Sequence, residues 1–362
     1  MLTKILSFSV LALLLSPHAS FARSIKIMSY NVENLFDTQH DSGKEDYTFL
    51  PMNHPEKIKG CETIKVDHYK KTCLETDWTD DKLELKLTQI EKVVKSTGSV
   101  PDILALMEVE NARVIQRVQR RLGYRKVVMT TSDDERGIDV AILFNPSADL
   151  AFLGSKEIKL QTSRFGITSA TRNILEMNFK IKDKLFQLYL NHWPSQQSGP
   201  GSRSSAAEQL FSVVKDKIND PNTRMMMIGD FNVTDAERPN PIYDFLTNKT
   251  GLVDVFTLLT RQDLAAKNLP PGTYFYSWDF SWNRLDKVIV NANFLTGTPS
   301  VNPKSYNVYA PAFMNRLFEQ KNPERPGFGQ KALVPWGYWH NAYTIDRAGF
   351  SDHYPLQVEI SL

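Results

Sequence analysis

The stretch 224–232, RMMMIGDFN, decides how the rest of the chain is read. Four apolar residues, Met225 to Ile228, form a short strand stopped at Gly229. The strand then delivers Asp230-Phe231-Asn232, a carboxylate and an amide at one tip. Working outward, the same design repeats. Ser24–Tyr30 alternates like a strand and runs into Asn31-Val32-Glu33-Asn34. Asp102–Met107 runs into Glu108-Val109-Glu110-Asn111, and Leu185–Leu190 runs into Asn191-His192-Trp193-Pro194. A late strand, Leu356–Ile360, follows Phe350-Ser351-Asp352-His353-Tyr354-Pro355. Placed side by side in a sheet, these ends bring carboxylates, amides and two imidazoles to one rim, where open α/β sheets place ligands.

Between the strands lie helical patterns. Leu83, Leu87, Ile90 and Val94 make an apolar stripe from Asp80, ended by Gly98 and Pro101. Val114, Ile115, Val118 and Leu122 make another, stopped at Gly123. Ser205-Ala206-Ala207-Glu208 fits a capping box ahead of Leu210, Val214 and Ile218. Further strands are expected at 127–131, 138–144 and 286–290, a hairpin at 174–191 turned at Lys182-Asp183-Lys184, and a small helix from Asn240-Pro241. Residues 37–80 read as a long polar loop, and 299–349 as an aromatic-rich insert without periodicity. No repeat and no linker divides the chain. Mixed strands and helices predict one layered α/β domain over residues 23–362.

The 362 residues are 41% hydrophobic and 23% charged, with a net charge of +2. The 20 Phe, 13 Tyr and 6 Trp argue against disorder. So small a net charge excludes an overall electrostatic attraction to nucleic acid; any anionic partner meets local clusters. Lys156, Lys159, Arg164, Arg172, Lys180, Lys182 and Lys184 form a modestly basic stretch that strand alternation scatters over two faces. Residues 1–22 carry Lys4, an apolar run Ile5–Leu15 and small residues at Ser20 and Ala22, the pattern of a cleaved signal peptide. A secreted or periplasmic protein follows as the expectation. Cys61 and Cys73, the only cysteines, are then expected to pair, with His68 a solvated loop histidine between them.

The side-chain inventory suits one chemistry. Asp and Glu oxygens with Asn amides suit a hard divalent cation such as Mg²⁺, and histidine moves protons near neutral pH. No Gly-Lys-Ser phosphate loop and no Gly-x-Ser-x-Gly elbow is present. Hydrolysis at phosphorus is the natural expectation.

Ser29-Tyr30-Asn31-Val32-Glu33, Leu106-Met107-Glu108, Gly229-Asp230-Phe231-Asn232, Arg284-Leu285-Asp286 and Ser351-Asp352-His353-Tyr354-Pro355 together resemble the endonuclease/exonuclease/phosphatase superfamily, the DNase-I-like enzymes. The order is the family's and the motifs span nearly the whole mature chain. The resemblance implies a four-layer α/β sandwich, two mixed β-sheets packed face to face with helices on the outer faces. It implies Glu108 as principal metal ligand, with Asn31, Glu33 and Asp352 supporting the ion. Asp230 would orient or deprotonate the attacking water, and Asn232 would hold a phosphate oxygen. His353 would act at the scissile phosphate, oriented by Asp286. Arg172 resembles a phosphate-contacting arginine. His192 stands where DNase-I-like and sphingomyelinase-like members carry a second histidine, which favours two-histidine acid/base catalysis; Asp133, Asp134 and Glu135 are candidates for its acidic partner. The implied cofactor is Mg²⁺, with Mn²⁺ an alternative and Ca²⁺ an accessory ion. A monomeric nuclease acting on DNA or RNA is expected. A phospholipid phosphodiesterase is the alternative, with the aromatic insert around 336–339 as its membrane element; the run Trp336-Gly337-Tyr338-Trp339-His340 reads equally as a base-stacking platform or as the packed core of a long insert. A non-catalytic binding protein would have lost Glu108, Asp230 or His353, and all three are present.

Overall fold

A computed structural model describes residues 23–161 and 171–362. The expected signal peptide, residues 1–22, and Arg164 lie outside the described residues. In chain order the strands are β1 (Ser24–Leu35), β2 (Ile103–Val109), β3 (Lys126–Met129), β4 (Asp139–Phe144), β5 (Ala151–Ile158), β6 (Ile174–Ile181), β7 (Lys184–His192), β8 (Thr223–Asp230), β9 (Leu252–Asp254), β10 (Tyr274–Tyr276), β11 (Ser281–Asn283), β12 (Asp286–Asn291), β13 (Ser300–Val308), β14 (Asn315–Glu319), β15 (Lys331–Pro335) and β16 (Leu356–Ser361). The helices are α1 (Lys57–Thr63), α2 (Asp67–Glu75), α3 (Asp80–Lys95), α4 (Ala112–Leu122), α5 (Pro200–Val214), α6 (Arg261–Lys267) and α7 (Ile345–Ala348).

Two six-stranded mixed sheets carry the fold, with orders β13-β16-β1-β2-β4-β3 and β5-β6-β7-β8-β12-β9. Alternation along the strands explains why they stack. In β8, Met226 and Ile228 join the cluster between the sheets, while Met225 and Met227 face outward onto Ala206, Ala207, Leu210 and Val214 of α5. The run MMMI is thus apolar on both faces because both are covered. Leu83, Leu87 and Ile90 of α3 and Val114, Ile115 and Val118 of α4 cover the first sheet's outer face. The four-layer α/β sandwich expected from the sequence is the observed architecture.

Each sheet contains one central parallel pair, β1 with β2 and β7 with β8. Their carboxyl ends carry the motif residues. Antiparallel β12 begins beside the end of β8, so Asp286 pairs directly with Asp230. Antiparallel β16 begins beside Ser29 of β1, so the segment Ser351–Tyr354 arrives at the same rim. Gly229 has φ +126°, and a Cβ there would lie 2.1 Å from the Asn191 carbonyl oxygen. Only glycine lets β8 pass this close to β7 before turning into Asp230.

The structure corrects several expectations. The segment 37–80 is not a plain loop: α1 and α2 form a helical hairpin, and buried Cys61 and Cys73 bond across it with Cα atoms 5.5 Å apart. These helices lack an apolar stripe, and the disulfide and the buried Lys57 ammonium, which donates to the carbonyls of Tyr47 and Thr48, hold them instead. His68 is exposed, but on a helix. The supposed insert 299–349 begins with β13, an edge strand of the first sheet, and continues as the hairpin β14–β15. Ser205 and Glu208 are not a cap: α5 starts at Pro200 behind Gly199, and Ser205 Oγ donates to the Gln161 carbonyl. Proline at the first helical position fixes the start.

Candidate active site

The rim bulges where the site forms. Glu33, Asn34, Glu108 and Asn232 all have φ between +52° and +63°. Pairing slips in register between Asn31 and Leu35 and between Met107 and Val109. Bulges of this kind bend a strand and re-aim its side chains, and left-handed backbone at non-glycine residues concentrates at functional sites.

Asn31 is the hub. Its Nδ2 donates to Glu108 Oε1 at 3.1 Å and to Asp230 Oδ2 at 3.2 Å, joining the two sheets. Its Oδ1 accepts from Glu33 N at 3.0 Å, and its carbonyl accepts from Ser351 Oγ at 2.7 Å. Glu108 is further held by Asn34 N at 2.9 Å. Glu33 sits behind: its Oε2 accepts from Tyr338 N at 2.6 Å and Asp352 N at 2.8 Å. Burial, and then the nearby Asp352 carboxylate, push Glu33 up to about 8. Asp352 is likewise raised, by burial first.

On the second sheet, Asp230 Oδ1 accepts from Asn232 N at 2.8 Å. Asn232 Nδ2 reaches the Trp193 carbonyl at 3.0 Å and Asp230 Oδ2 at 3.3 Å, so this amide orients Asp230. Burial, with added repulsion from Asp286 and Glu108, pushes Asp230 up to about 7, against the pull of His353. His353 Nδ1 contacts Asp286 Oδ2 at 2.7 Å, and its Nε2 lies 3.8 Å from Asp230 Oδ2. Burial alone would favour the neutral ring, but the Asp286 and Asp230 carboxylates outweigh it and hold His353 well above its usual value. Asp286 N in turn donates to Thr273 Oγ1 at 3.2 Å.

His192 behaves differently. Its Nε2 lies 3.8 Å from both Glu108 Oε1 and Asp230 Oδ2, while its Nδ1 is buried with no hydrogen-bond partner among the described residues. Burial, then Arg172, Arg136 and His353, push it well below its usual value. Of the three candidate partners, Asp134 faces Arg172 instead, Oδ2 to Nη1 at 3.4 Å. Arg172 is buried and also donates to the Trp193 carbonyl at 2.7 Å, the acceptor shared with Asn232. Its guanidinium therefore braces the His192 loop as well as lining the cleft.

Glu108, His192, Asp230, Asn232, Asp352 and His353 line one cleft of about 1110 Å³. Asn31, Glu33 and Asp286 stand directly behind it. The expected catalytic, metal and phosphate-contacting residues are thus brought to one place, whereas Asp133, exposed and 3.3 Å from Lys159, is not among them. Among the described residues, no three His, Cys, Asp or Glu side chains form a ready-made metal cage. The donor set still fits Mg²⁺, which takes one or two carboxylates and keeps several waters. Glu108 and Asp352 present oxygen to the cleft, and the buried Asn34 Oδ1 on the same bulge has no hydrogen-bond donor among the described residues. Glu108 and Asp352 would hold the ion; Asn31 and Glu33 would position them.

Two residues were hidden from sequence reasoning. Lys86 lies on the buried stripe of α3, its ammonium 4.0 Å from the Tyr338 ring and donating to the Phe350 carbonyl at 3.2 Å. Burial pulls it down to about 8, against Glu33 and Asp352. A lysine in register with Leu83 and Ile90 was the available signal. Tyr274 lines the cleft with its ring 5.0 Å from that of His353. Neither motif nor spacing marks it. The aromatic run 336–340 is a packed wall, not a platform: Tyr338 is buried on Trp78, Trp336 packs on Phe350, and Trp339 alone is more than half exposed.

The sequence profile of the endonuclease/exonuclease/phosphatase family matches residues 26–362. The chain belongs to this family. The family's enzymes hydrolyse phosphoester bonds and generally use divalent metal ions. No curated protein matches the sequence. Solved structures do match in fold. TDP2 from D. rerio, complexed with single-strand DNA product, is 14% identical, with a TM-score of 0.52 over 94% of this chain and 99% of that one. The human Nocturnin catalytic domain is 17% identical, with a TM-score of 0.52 over 93% and 94%. A mannosyl-6-phosphatase from Bacteroides thetaiotaomicron is 15% identical, with a TM-score of 0.51 over 94% and 100%.

Proposed function

We propose that the protein is a divalent-metal-dependent phosphodiesterase that hydrolyses nucleic-acid phosphodiester bonds. The observation that carries this reading is the line Asp286–His353–Asp230, set across the cleft from Glu108 and tied to it by Asn31. Asp230, pushed up to about 7, takes the proton of the attacking water as the bond from phosphorus to the leaving oxygen breaks, and water in the cleft protonates that oxygen. His353, held protonated by its two carboxylates, hydrogen-bonds a non-bridging phosphoryl oxygen as charge builds there. His192, kept neutral, contributes a hydrogen bond rather than a second proton relay. When bound at Glu108 and Asp352, Mg²⁺ or Mn²⁺ neutralises charge on the phosphoryl group. The single-strand DNA product in the structurally similar TDP2 supports a nucleic-acid substrate. Export with loss of residues 1–22, and action as a monomer in the periplasm or outside the cell, belong to the same reading; the Cys61–Cys73 bond supports an oxidising location.

The test uses wild type, Glu108→Ala and His353→Ala with bis(p-nitrophenyl) phosphate, supercoiled plasmid and structured RNA, in Mg²⁺ or EDTA. Metal-dependent cleavage that falls at least about 100-fold in both variants supports the reading. Wild-type inactivity on all three substrates sinks it.

A second reading, phospholipid phosphodiesterase, is favoured by one observation. The segments 274–283 and 315–335 pack on each other beside the cleft and expose Tyr276, Trp278, Leu317, Phe328 and Leu333. Arg325 stacks on Trp278 at 3.7 Å. An apolar patch edged by cations suits a lipid interface. Cleavage of sphingomyelin vesicles with both nucleic acids left intact would promote it.

A further inference from the structure

The helical hairpin α1–α2 reaches the active-site cleft. Tyr69, in the first turn of α2, is 45% exposed and lines the cleft. Its hydroxyl accepts a hydrogen bond from Gln197 Nε2 at 2.6 Å, a contact between residues 128 apart in sequence. Gln197 belongs to the loop after His192, on the second sheet, whereas the hairpin grows from the first. The contact therefore joins the two sheets' loops outside the reacting groups.

The hairpin is well rooted. Cys61 and Cys73 clamp it on either side of Tyr69, and the buried Lys57 ammonium fixes its base. A second link runs alongside. Glu45 N donates to the Glu135 carbonyl at 2.7 Å, and Lys44 Nζ donates to the carbonyls of Ser132 and Asp134 at 3.1 and 2.7 Å. Among the described residues these links run along one side of the cleft from residues 132–136 to Gln197. The other flank carries Tyr276 and Trp282 from the β10–β11 hairpin.

We infer that the disulfide-clamped hairpin, through the Tyr69–Gln197 bridge, closes one end of the cleft and makes this a phosphodiesterase of chain ends. The inference rests on the phosphodiesterase reading above and adds the substrate class: a strand whose scissile bond lies within a few nucleotides of a terminus. A polynucleotide passing through the cleft would have to displace the bridge. A terminus enters from the Tyr276 side and stops against it. Tyr69 and Gln197 are then specificity-determining, with no part in the chemistry.

The experiment compares wild type, Tyr69→Ala and Gln197→Ala on three probes with Mg²⁺: bis(p-nitrophenyl) phosphate, a linear single-stranded oligodeoxynucleotide, and the same sequence closed into a circle. Wild type is expected to cut the linear strand at least tenfold faster than the circle. Each variant should raise circle cleavage at least fivefold, leaving turnover of the small ester within twofold and the melting temperature unchanged. Equal wild-type rates on circle and line overturn the inference, as do an unchanged ratio in both variants or small-ester turnover with neither DNA cut. Wild-type silence on the small ester removes the phosphodiesterase reading, and this inference with it.

Discussion

His353 Nδ1 and Asp286 Oδ2 lie 2.7 Å apart, although the residues are 67 positions apart and come from different sheets. Asp286 opens β12, and His353 is delivered by the turn that leads into β16. The pair is thus set by how two strand starts meet at one rim. Asp286→Asn keeps the shape and removes the charge that holds the imidazole protonated. The expected outcome is a loss of at least about 100-fold in kcat with KM changed little, read by steady-state kinetics on the small ester. An unchanged kcat would take Asp286 out of the mechanism.

Asn31 donates to Glu108 and Asp230 together. Asn31→Ala leaves the cleft carboxylate Glu108 held by Asn34 alone. Groups that orient a metal ligand typically account for about 10- to 100-fold in affinity. The Mg²⁺ concentration for half-maximal activity should rise by that factor, and calorimetric titration with Mg²⁺ should show the same weakening.

The bond between Cys61 and Cys73 closes a short loop whose ends are 12 positions apart. Replacing both cysteines with serine should cost about 3 kcal/mol of the hairpin's stability through the freed unfolded chain. Because the hairpin carries its own clamp, the loss should appear first as protease cutting within 55–76. Global unfolding in urea should move less.

The ring of His340 packs among Phe49, Trp78 and Tyr338, and its Nε2 is buried without a hydrogen-bond partner among the described residues. Burial, then the nearby Lys86 ammonium, pull it from 6.5 to about 3. A histidine depressed in the folded state contributes stability above its unfolded value, and that stability fades as pH falls from about 6.5 toward 3. His340→Phe should therefore flatten the acid loss in that window, measured as urea midpoint against pH. A parallel slope in the variant would assign the acid sensitivity elsewhere.

Much of this site was legible because the strands that build it end abruptly. Apolar runs stop at Tyr30, Met107, Leu190 and Gly229, and the next residues are the polar ones that meet at the rim. What stayed hidden depended on pairing across long distances. Asp134 belongs to Arg172, 38 residues away, and does not serve His192, which burial first and then Arg172 push well below its usual value. The strand Ser300–Val308 was read as insert because it holds Pro303 and a register slip between Asn302 and Asn307, which an edge strand tolerates. The Ser205–Glu208 pattern satisfied a local rule but lay inside a helix already started by Pro200.

The rim residues sit at strand ends of both sheets, and the gap is bridged by the Asn31 side chain and by the backbone bond from Tyr354 N to the Thr273 carbonyl at 2.8 Å. The reacting groups therefore act as a gauge of how far apart the two plates stand. Met107 and Met226 are fully buried between those plates and do not line the cleft, yet their volumes help set the distance from Glu108 to Asp230. The inner layer is constrained twice, once by the need to fill space and once by the tolerance of a bond-breaking reaction to misalignment. Substitutions there that leave stability intact can still detune the enzyme.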